Sequence, residues 1–465
     1  MTAANNLNQI KHLYSRAAFG IDYVDLQKIK ALPVRRAVDD LFEASAQYEA
    51  LTLPGISSTD QPARPFSQLT ADEKKMQLRN SRQKVRMLNT AWLHRMSGSP
   101  ARLREKLTLF WHGHFACRSN NAAFLQQLNN IQRKNALGNF KSLLLEVSRS
   151  PAMLQFLNNQ QNRKGKPNEN FARELMELFT LGRGQYTETD IREAARAFTG
   201  WGYNSKGDFQ FRPMLHDEGE KRFFGKTGNF DGTDIIDSIL ERPEAARFIA
   251  RKLYVFLVSD SVDESKVKEL GDHFYRSGYN ISALVKEILT ADWFYDSGVI
   301  GTKIKSPVEL IVGINREFKV RYDNPEILIK FQGALGQVLF YPPNVAGWPG
   351  GKSWIDSSSL MIRLKLPSLL LNGGIIEFDE KSDIEDEALT SLMMIKKQVV
   401  QRQVMSSPDW NRFLKGLPGN LPLDDLAAFL LQPAVSSTFL KAVVSTQVTK
   451  SEVLELLSLP EYQMC

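Results

Sequence analysis

Apolar residues recur every three or four positions along most of this chain, which is the spacing of one face of an α-helix. The clearest segments of this kind cover residues 137–147, 169–181, 187–198, 243–258, 281–289 and 307–318. Stretches rich in glycine, proline or serine separate them, as expected for loops. The pattern predicts a mainly α protein built around a large multi-layer helical domain.

One glycine-rich interruption has a different pattern. Residues 202–232 contain Phe209 and Phe211 at alternating positions, which predicts a small β-hairpin-like insertion. Residues 341–354 form another loop, in which prolines and tryptophans alternate with glycines. This second loop is either the wall of a ligand site or a plug over the core.

The composition of successive stretches divides the chain into four parts. Residues 1–66 form an N-terminal helical segment and loop, and residues 67–371 form the main helical domain that carries the polar motifs. Residues 377–387 hold seven acidic side chains in eleven positions and show no core stripe. We therefore expect an acidic linker at residues 372–387 and an appended helical C-terminal region at residues 388–465.

Composition limits the class of protein. A chain of 465 residues with 43% hydrophobic content can bury a large core, so it needs neither disulfides nor a metal to fold. Two cysteines, Cys117 and Cys465, are too few for a disulfide framework or a cysteine-rich zinc module. The net charge of +7 is modest and not gathered into a tail, so we expect no nucleic-acid partner.

The sequence also bears on location. The longest apolar runs, such as residues 253–258 and 366–371, are far shorter than the roughly 18 residues of a membrane span. Residues 1–20 lack the apolar core of an export signal. We therefore expect a cytoplasmic protein without a membrane span.

The densest polar signal lies in the helix predicted at residues 169–181. Glu169, Arg173 and Glu177 are spaced one turn apart, and Glu174 lies beside them. One interpretation is a solvated helix face held by ion pairs of about 0.3–0.5 kcal/mol each. The other is a set of carboxylates for a metal ion or for proton transfer, oriented by Arg173. On the second interpretation these four residues are candidate catalytic residues.

The next predicted helix, residues 187–198, carries Arg196 and can meet the first helix polar face to polar face. A buried network of this kind must be hydrogen-bonded throughout, or it costs several kcal/mol. His216, followed by Asp217 in the glycine-rich loop, is a further candidate catalytic residue. The alternative for this His-Asp pair is an ordinary turn cap.

Two histidines in an aromatic segment are candidate metal ligands. His112 and His114 flank Gly113 within the sequence FWHGHF. In a regular helix their side chains point about 200° apart, whereas in an extended segment residues two apart share a face and can bind one divalent metal ion. Gly113 makes an extended break credible. Packing histidines are the alternative.

Several enzyme signatures do not occur in the sequence. There is no Gly-x-Ser-x-Gly element, and Cys117 has no protease signature around it. The glycines of residues 341–354 follow neither the dinucleotide-binding nor the phosphate-loop pattern. Hydrolysis by a serine or cysteine triad and nucleotide binding through these loops are therefore disfavoured.

Eight ordered motifs resemble a known family. They are HLYSRAAFG at 12–20, FWHGHFA at 110–116, PAM at 151–153, NENFARELMELFTLG at 168–182, the aromatic-ended stretch 186–201, HD at 216–217, KSP at 305–307 and PPNVAGWPGG at 342–351. Together they resemble the bacterial family catalogued as domain of unknown function 1800, over roughly residues 7–465. The resemblance implies no activity and names no catalytic residue.

The resemblance does suggest a protein partner. Such proteins are often encoded beside a family catalogued as domain of unknown function 1501, which is similar to exported phosphatases or sulfatases. Many relatives carry export signals and this chain departs from them, so export together with a folded partner is an expectation beside the cytoplasmic one.

Two functions follow from these residues. The first is a metal- or acid/base-dependent enzyme with a His/Glu/Arg site between two helices, with a divalent metal ion as the candidate cofactor. The second is a non-catalytic partner or assembly subunit of an exported phosphatase- or sulfatase-like protein, in which the same polar groups form a structural ion network.

Overall fold

The structure is a computed structural model that describes residues 3–56, 68–372, 405–433 and 448–465. Within these ranges it contains twenty α-helices. The first ten are α1 (Ala3–Ala18), α2 (Tyr23–Ile29), α3 (Val34–Ala44), α4 (Ala71–Gly98), α5 (Arg102–His114), α6 (Ala122–Lys134), α7 (Phe140–Ser148), α8 (Pro151–Phe156), α9 (Asn170–Glu174) and α10 (Glu188–Ala197). The others are α11 (Gly232–Leu240), α12 (Pro243–Leu257), α13 (Glu264–Arg276), α14 (Ile281–Thr290), α15 (Pro307–Phe318), α16 (Ile327–Ala334), α17 (Ser357–Leu371), α18 (Trp410–Gly416), α19 (Leu423–Leu430) and α20 (Lys450–Leu457). The predicted mainly α fold is confirmed.

The strands form short antiparallel pairs. They are β1 (Trp201–Tyr203) with β2 (Phe209–Phe211), β3 (Lys221–Phe223) with β4 (Lys226–Gly228), and β5 (Arg321–Tyr322) with β6 (Ser406–Ser407). The hairpin predicted from Phe209 and Phe211 is confirmed as the first pair, in which Trp201 is opposite Phe211. A second hairpin follows it within the same insertion.

Local capping explains why several helices begin where the sequence predicts. Ser306 and Glu309 form a reciprocal capping box at the start of α15, and Pro307 occupies the first turn. Thr187 and Asp190 form the same arrangement at the start of α10. Both helices therefore have their first backbone N–H groups satisfied by their own sequence.

The helix predicted at residues 169–181 is not regular. It begins as α9 and continues as a π-helix over Leu175–Thr180. The Thr180 hydroxyl donates to the Leu175 carbonyl oxygen at 2.6 Å, which matches the wider turn, and Gly182 ends the helix at φ +80°. The uniform one-turn spacing of the predicted polar face is therefore wrong beyond Glu174.

A single hydrophobic cluster runs from α1 to α20, and it includes Ile10, Trp111, Leu253 and Leu457. The described C-terminal helices thus share the core of the main helical domain. The predicted boundaries at residues 66 and 387, and nearly all of the predicted acidic linker, lie outside the described residues. Among the described helices, none combines the length and the apolar character that crossing a membrane requires.

Buried cations bind backbone carbonyl groups in several places. Arg104 donates to the carbonyl oxygens of Arg133 and Lys134 at 2.7 and 3.0 Å, at the end of α6. Arg16 reaches the end of α12 in the same way. The last carbonyl groups of a helix lack partners within it and carry partial negative charge, so a cation there is favourable. Part of the basic excess of the sequence is therefore used inside the fold.

Candidate functional site

The predicted catalytic residues of α9 lie at the surface in ion pairs. The guanidinium of Arg173 donates to Glu188 at 2.7 and 2.9 Å and to Glu169 at 3.2 Å. The side chain of Arg173 is 35% exposed and those of its two partners are more so. Exposed pairs of this type contribute little to stability, and Arg173 is saturated by carboxylates that belong to the chain itself.

The other two predicted carboxylates of this helix are closer to each other. Glu177 accepts a hydrogen bond from Arg183 at 2.6 Å and from the Tyr186 hydroxyl at 3.0 Å, which lowers its pKa. Partial burial, followed by the negative charge of Glu177, raises the pKa of Glu174. Glu174 is therefore the residue of the predicted set whose environment is most suited to proton transfer.

His216 is not part of the α9 cluster. Its ring is buried, and its polar contacts in the described structure are with Thr199: the Nδ1 atom lies 2.9 Å from the carbonyl oxygen, to which it donates. Asp217 is bound instead by Arg196, at 2.8 and 3.1 Å. The structure thus brings His216 to α10, but it does not place it in hydrogen-bonding contact with the candidate carboxylates.

The extended segment that would let His112 and His114 share a face does not form, because α5 continues as a helix to His114. His112 accepts a hydrogen bond from the backbone N–H of Phe340 at Nε2, 3.1 Å away. The Nε2 atom of His114 lies 3.1 Å from the carbonyl oxygen of Phe179. Helical geometry sends the two side chains in different directions, so the structure does not bring them together.

Burial, assisted by nearby positive charges, lowers the pKa of His112 and of His114 to about 3 in each case. Both rings pack among aromatic side chains, including Trp92 and Phe110. Within the described ranges, no group of three or more His, Cys, Asp or Glu side chains is arranged to hold a metal ion. These environments fit neutral packing histidines.

A cavity that the sequence did not predict lies where α1, α15 and the C-terminal helices meet. Its volume is about 70 Å³. A water molecule needs roughly 10–15 Å³ on this measure, so the cavity has room for about five. Lining residues that bear on its chemistry are Lys11, Asp22, Lys305, Gly313, Arg316 and Glu317.

One face of α15 supplies the wall of the cavity. Glu309, Gly313 and Glu317 are spaced four residues apart, so they lie one above the other. A Cβ atom on Gly313 would lie 3.5 Å from the nearest atom outside the helix, the Phe19 carbonyl oxygen. Because that contact is not close, packing does not demand glycine here, and the missing side chain leaves open space between the two carboxylates.

The two carboxylates differ in their partners. Glu309 forms a buried ion pair with Lys106 and accepts the backbone N–H of Ser306 at 2.7 Å. Burial opposes its charge, but these partners prevail and lower its pKa to about 2. Glu317 makes no hydrogen bond or ion pair with any described residue. Burial raises its pKa to about 8, and Asp22 adds to this while the charge of Lys305 opposes it.

Two lysines line the same cavity. The Nζ atom of Lys11 donates to the carbonyl oxygens of Leu431, at 2.7 Å, and Ala428. Burial, followed by the charge of Lys305, lowers the pKa of Lys11 to about 7. Lys305 donates to the Tyr462 carbonyl oxygen at 2.7 Å, and burial lowers its pKa to about 8.

The backbone beside the cavity is strained. Phe19 has φ +60°, a conformation that is rare for a bulky residue, and the N–H of Gly20 closes the end of α1 onto Tyr14 at 2.9 Å. Such strain costs on the order of 1–3 kcal/mol and is concentrated at functional sites. The same backbone region is occupied by other bulky residues, such as Phe224 and Phe340, so the strain at Phe19 does not by itself mark a site.

Sequence signals for this site existed but were weak. Lys305 belongs to the KSP motif, and Gly313 interrupts an otherwise favourable helix pattern. A glycine inside a helix lowers its stability by about 0.5–1 kcal/mol relative to alanine, so its presence between two acids four residues away on either side was informative. Lys11 carried no comparable signal.

Comparison with known proteins gives one match. A family model described as protein of unknown function (DUF1800) matches residues 12–464, nearly the whole chain. The resemblance drawn from the eight motifs is thereby confirmed. A search of curated proteins and a search of solved structures found no match.

Proposed function

This chain belongs to the DUF1800 family, whose description gives no activity, and on that premise we propose that it is an acid/base-dependent enzyme acting on a small polar molecule in the cavity. The observation that carries the proposal is the meeting of Lys11 with Lys305 and Glu317, which lie far from Lys11 in the sequence, at one cavity. Perturbed titratable groups in a cavity are a recognised indication of a functional site.

The chemistry follows from the protonation states. Near pH 7.5 a carboxyl group with a pKa of about 8 keeps most of its protons, so Glu317 is an acid that can donate. An amine with a pKa of about 8 is uncharged in a sizeable fraction of molecules, so Lys305 can accept a proton or attack an electrophile. A pair with these environments can therefore perform general acid–base catalysis at neutral pH.

The two lysines have different roles in this proposal. Lys11 binds two carbonyl groups at the end of α19, where a cation is favoured. Burial still lowers the pKa of Lys11 to about 7, so these contacts hold its amine in place rather than keep it charged. Lys305 has a single carbonyl acceptor and is partly exposed. We therefore assign the acid–base role to Lys305 and Glu317 and a structural role at the end of α19 to Lys11.

The test is competitive acetylation of the intact protein with trace acetic anhydride over a range of pH, followed by peptide mass spectrometry. Only an uncharged amine reacts, so the rate at each lysine follows its own titration. Lys305 is expected to show a midpoint near pH 8, and the exposed Lys166 is the comparison lysine in the same sample. In a Glu317→Gln variant the Lys305 midpoint should fall, because the carboxylate charge that raises the pKa of Lys305 is gone.

Two results would count against this function. If the acetylation of Lys305 shows no midpoint near pH 8, its environment does not prepare it for catalysis. If Lys305 is not acetylated at any pH while the exposed lysines are, the cavity does not admit even a small reagent. A Lys305→Arg variant keeps the positive charge and serves as the negative control for acetylation at this position. It also identifies the Lys305 peptide in the mass spectrum.

A second function, that of a non-catalytic partner subunit, is favoured by a different observation. Phe211 and Met214 beside the first hairpin are 42% and 80% exposed, which is high for large apolar side chains. The family resemblance suggests an exported phosphatase- or sulfatase-like partner. Co-elution of the two purified proteins in size-exclusion chromatography, lost in a Phe211→Ser/Met214→Ser variant, would support this role. Independent elution at micromolar concentrations would contradict it.

A further inference from the structure

Lys305 is held in a way that leaves its amine available. Its Nζ atom lies 4.0 Å from the centre of the Tyr462 ring and has the carbonyl oxygen of the same residue as its single hydrogen-bond acceptor among the described residues. An ammonium group can donate three hydrogen bonds, so Lys305 has unused capacity on the cavity side of a partly exposed side chain. Lys11, in contrast, is anchored by two carbonyl groups.

We propose that Lys305 forms an imine with a small 2-oxo acid in this cavity, with Glu317 as the proton donor. The inference rests on the proposed acid–base function and names its substrate class. Its geometric basis is an amine and an unpartnered carboxyl that line one small cavity, with a helix-interior glycine keeping the space between the acids open.

The reaction balances without an additional oxidant or reductant. The uncharged Lys305 amine attacks the carbonyl carbon, a C–N bond forms, and the carbonyl electron pair moves to oxygen, which takes up a proton to give a carbinolamine. The proton on this oxygen comes from the attacking nitrogen, which would otherwise carry a positive charge. The C–O bond then breaks and the oxygen leaves as water with the proton of Glu317, while the nitrogen loses its second proton, which restores the Glu317 carboxyl. The net change is amine plus carbonyl to imine plus water.

Size and charge favour a 2-oxo acid over other carbonyl compounds. Space for about five water molecules corresponds to a molecule of about five or six non-hydrogen atoms. The charged acids that line the cavity already have partners, since Glu309 binds Lys106 and Asp22 binds Arg412 at 3.0 Å. Arg316 lines the same cavity and donates to backbone carbonyl oxygens rather than to an acid, so it adds an unpaired positive charge. An anionic substrate therefore fits better than a neutral or cationic one.

The experiment uses the full chain with glyoxylate or pyruvate as probes and sodium cyanoborohydride, which reduces an imine to a stable secondary amine. Peptide mass spectrometry then gives the extent of modification at Lys305 relative to the exposed Lys166 in the same sample. Propanal, a neutral aldehyde, is the comparison probe. For each probe the modification of Lys305 is divided by that of Lys166 in the same sample. Differences in intrinsic carbonyl reactivity between the probes therefore cancel.

The expected result is modification of Lys305 at least about tenfold faster than Lys166 with the 2-oxo acids, and a smaller preference with propanal. Lys11→Arg should retain this preference, and Glu317→Gln should slow it while urea denaturation shows a folded protein. Modification at Lys11 instead, equal modification of all exposed lysines, or an equal preference for propanal would overturn the inference.

The outcomes also separate this inference from the function on which it rests. A Lys305 that acetylates with a midpoint near pH 8 but forms no imine would leave the acid–base function standing and exclude imine chemistry. A Lys305 without an acetylation midpoint near pH 8 would remove the basis of both.

Discussion

Replacement of Gly313 by alanine is expected to stabilise the protein and at the same time impair the cavity. Gly313 lies in the interior of α15, where glycine is less favourable than alanine by about 0.5–1 kcal/mol. The new methyl group would lie 3.5 Å from the Phe19 carbonyl oxygen, an ordinary van der Waals contact. No steric cost therefore offsets the gain from helix propensity.

The same methyl group would project into a cavity with room for about five water molecules. We therefore expect the Gly313→Ala variant to unfold at a higher urea concentration, by about 0.5–1 kcal/mol in the free energy of unfolding. We also expect it to show less imine formation at Lys305. A residue that lowers stability while opening a site is an example of the trade-off between stability and function.

Gly271 in α13 is the matched control. A Cβ atom on Gly271 would lie 2.7 Å from the Cα atom and 2.6 Å from the Cγ atom of Arg247 on α12, so the helices would have to separate. Gly271→Ala should destabilise the protein by about 1–3 kcal/mol in the same urea experiment. If Gly313→Ala were as destabilising as Gly271→Ala, α15 would have no open space beside it, and the predicted gain in stability would be wrong.

Three further perturbations test other parts of the structure. Burial raises the pKa of Glu317 from an ordinary value of 4.5 to about 8, so the stability contributed by its protonated form is complete below pH 4.5 and is lost as the pH rises through 8. Thermal melts should therefore show Glu317→Gln gaining stability relative to the natural protein between pH 5 and pH 9. A constant difference in Tm between the two proteins over this range would contradict this. Glu105→Ala should cost about 3–5 kcal/mol in urea denaturation, because it leaves the fully buried Arg133 without the carboxylate that it binds at 2.8 Å; a loss below 1 kcal/mol would be inconsistent with that burial. Arg173→Ala should shift Tm by less than about 2 °C, because its ion pairs are exposed, and a large shift would show that α9 depends on them.

Sequence patterns predicted those parts of the fold that depend on local chemistry. The start of α15 follows from Pro307 and the Ser306–Glu309 capping box, and the start of α10 follows from Thr187 and Asp190. In each case the side chains that satisfy the first turn lie within three residues of it. The eight motifs likewise identified the family because their order along the chain is a property of the sequence alone.

Features that depend on contacts between distant residues were not predictable in the same way. The π-helix after Glu174 breaks the periodicity on which the polar face was predicted, and a pattern with a period of 3.6 residues cannot indicate it. The histidine pair was ambiguous because Gly113 is compatible with both a helix and an extended break. In the folded protein the segment is helical, and tertiary packing buries His112 and His114 among aromatic rings.

The cavity was the least predictable feature, because Lys11 and Lys305 are far apart in sequence and have no shared pattern. The acids near the cavity and in the core differ in whether they have partners. Glu105 and Glu309 are satisfied by cations and hydrogen bonds, and such completed networks explain their own presence as part of the folded core. Glu317 has no such partner in the described parts of the chain. Its side chain is partly exposed at the cavity, where a carboxyl group without partners contributes less to stability than a paired one does. A stabilising ion pair therefore does not account for Glu317, which is consistent with its proposed role in proton transfer.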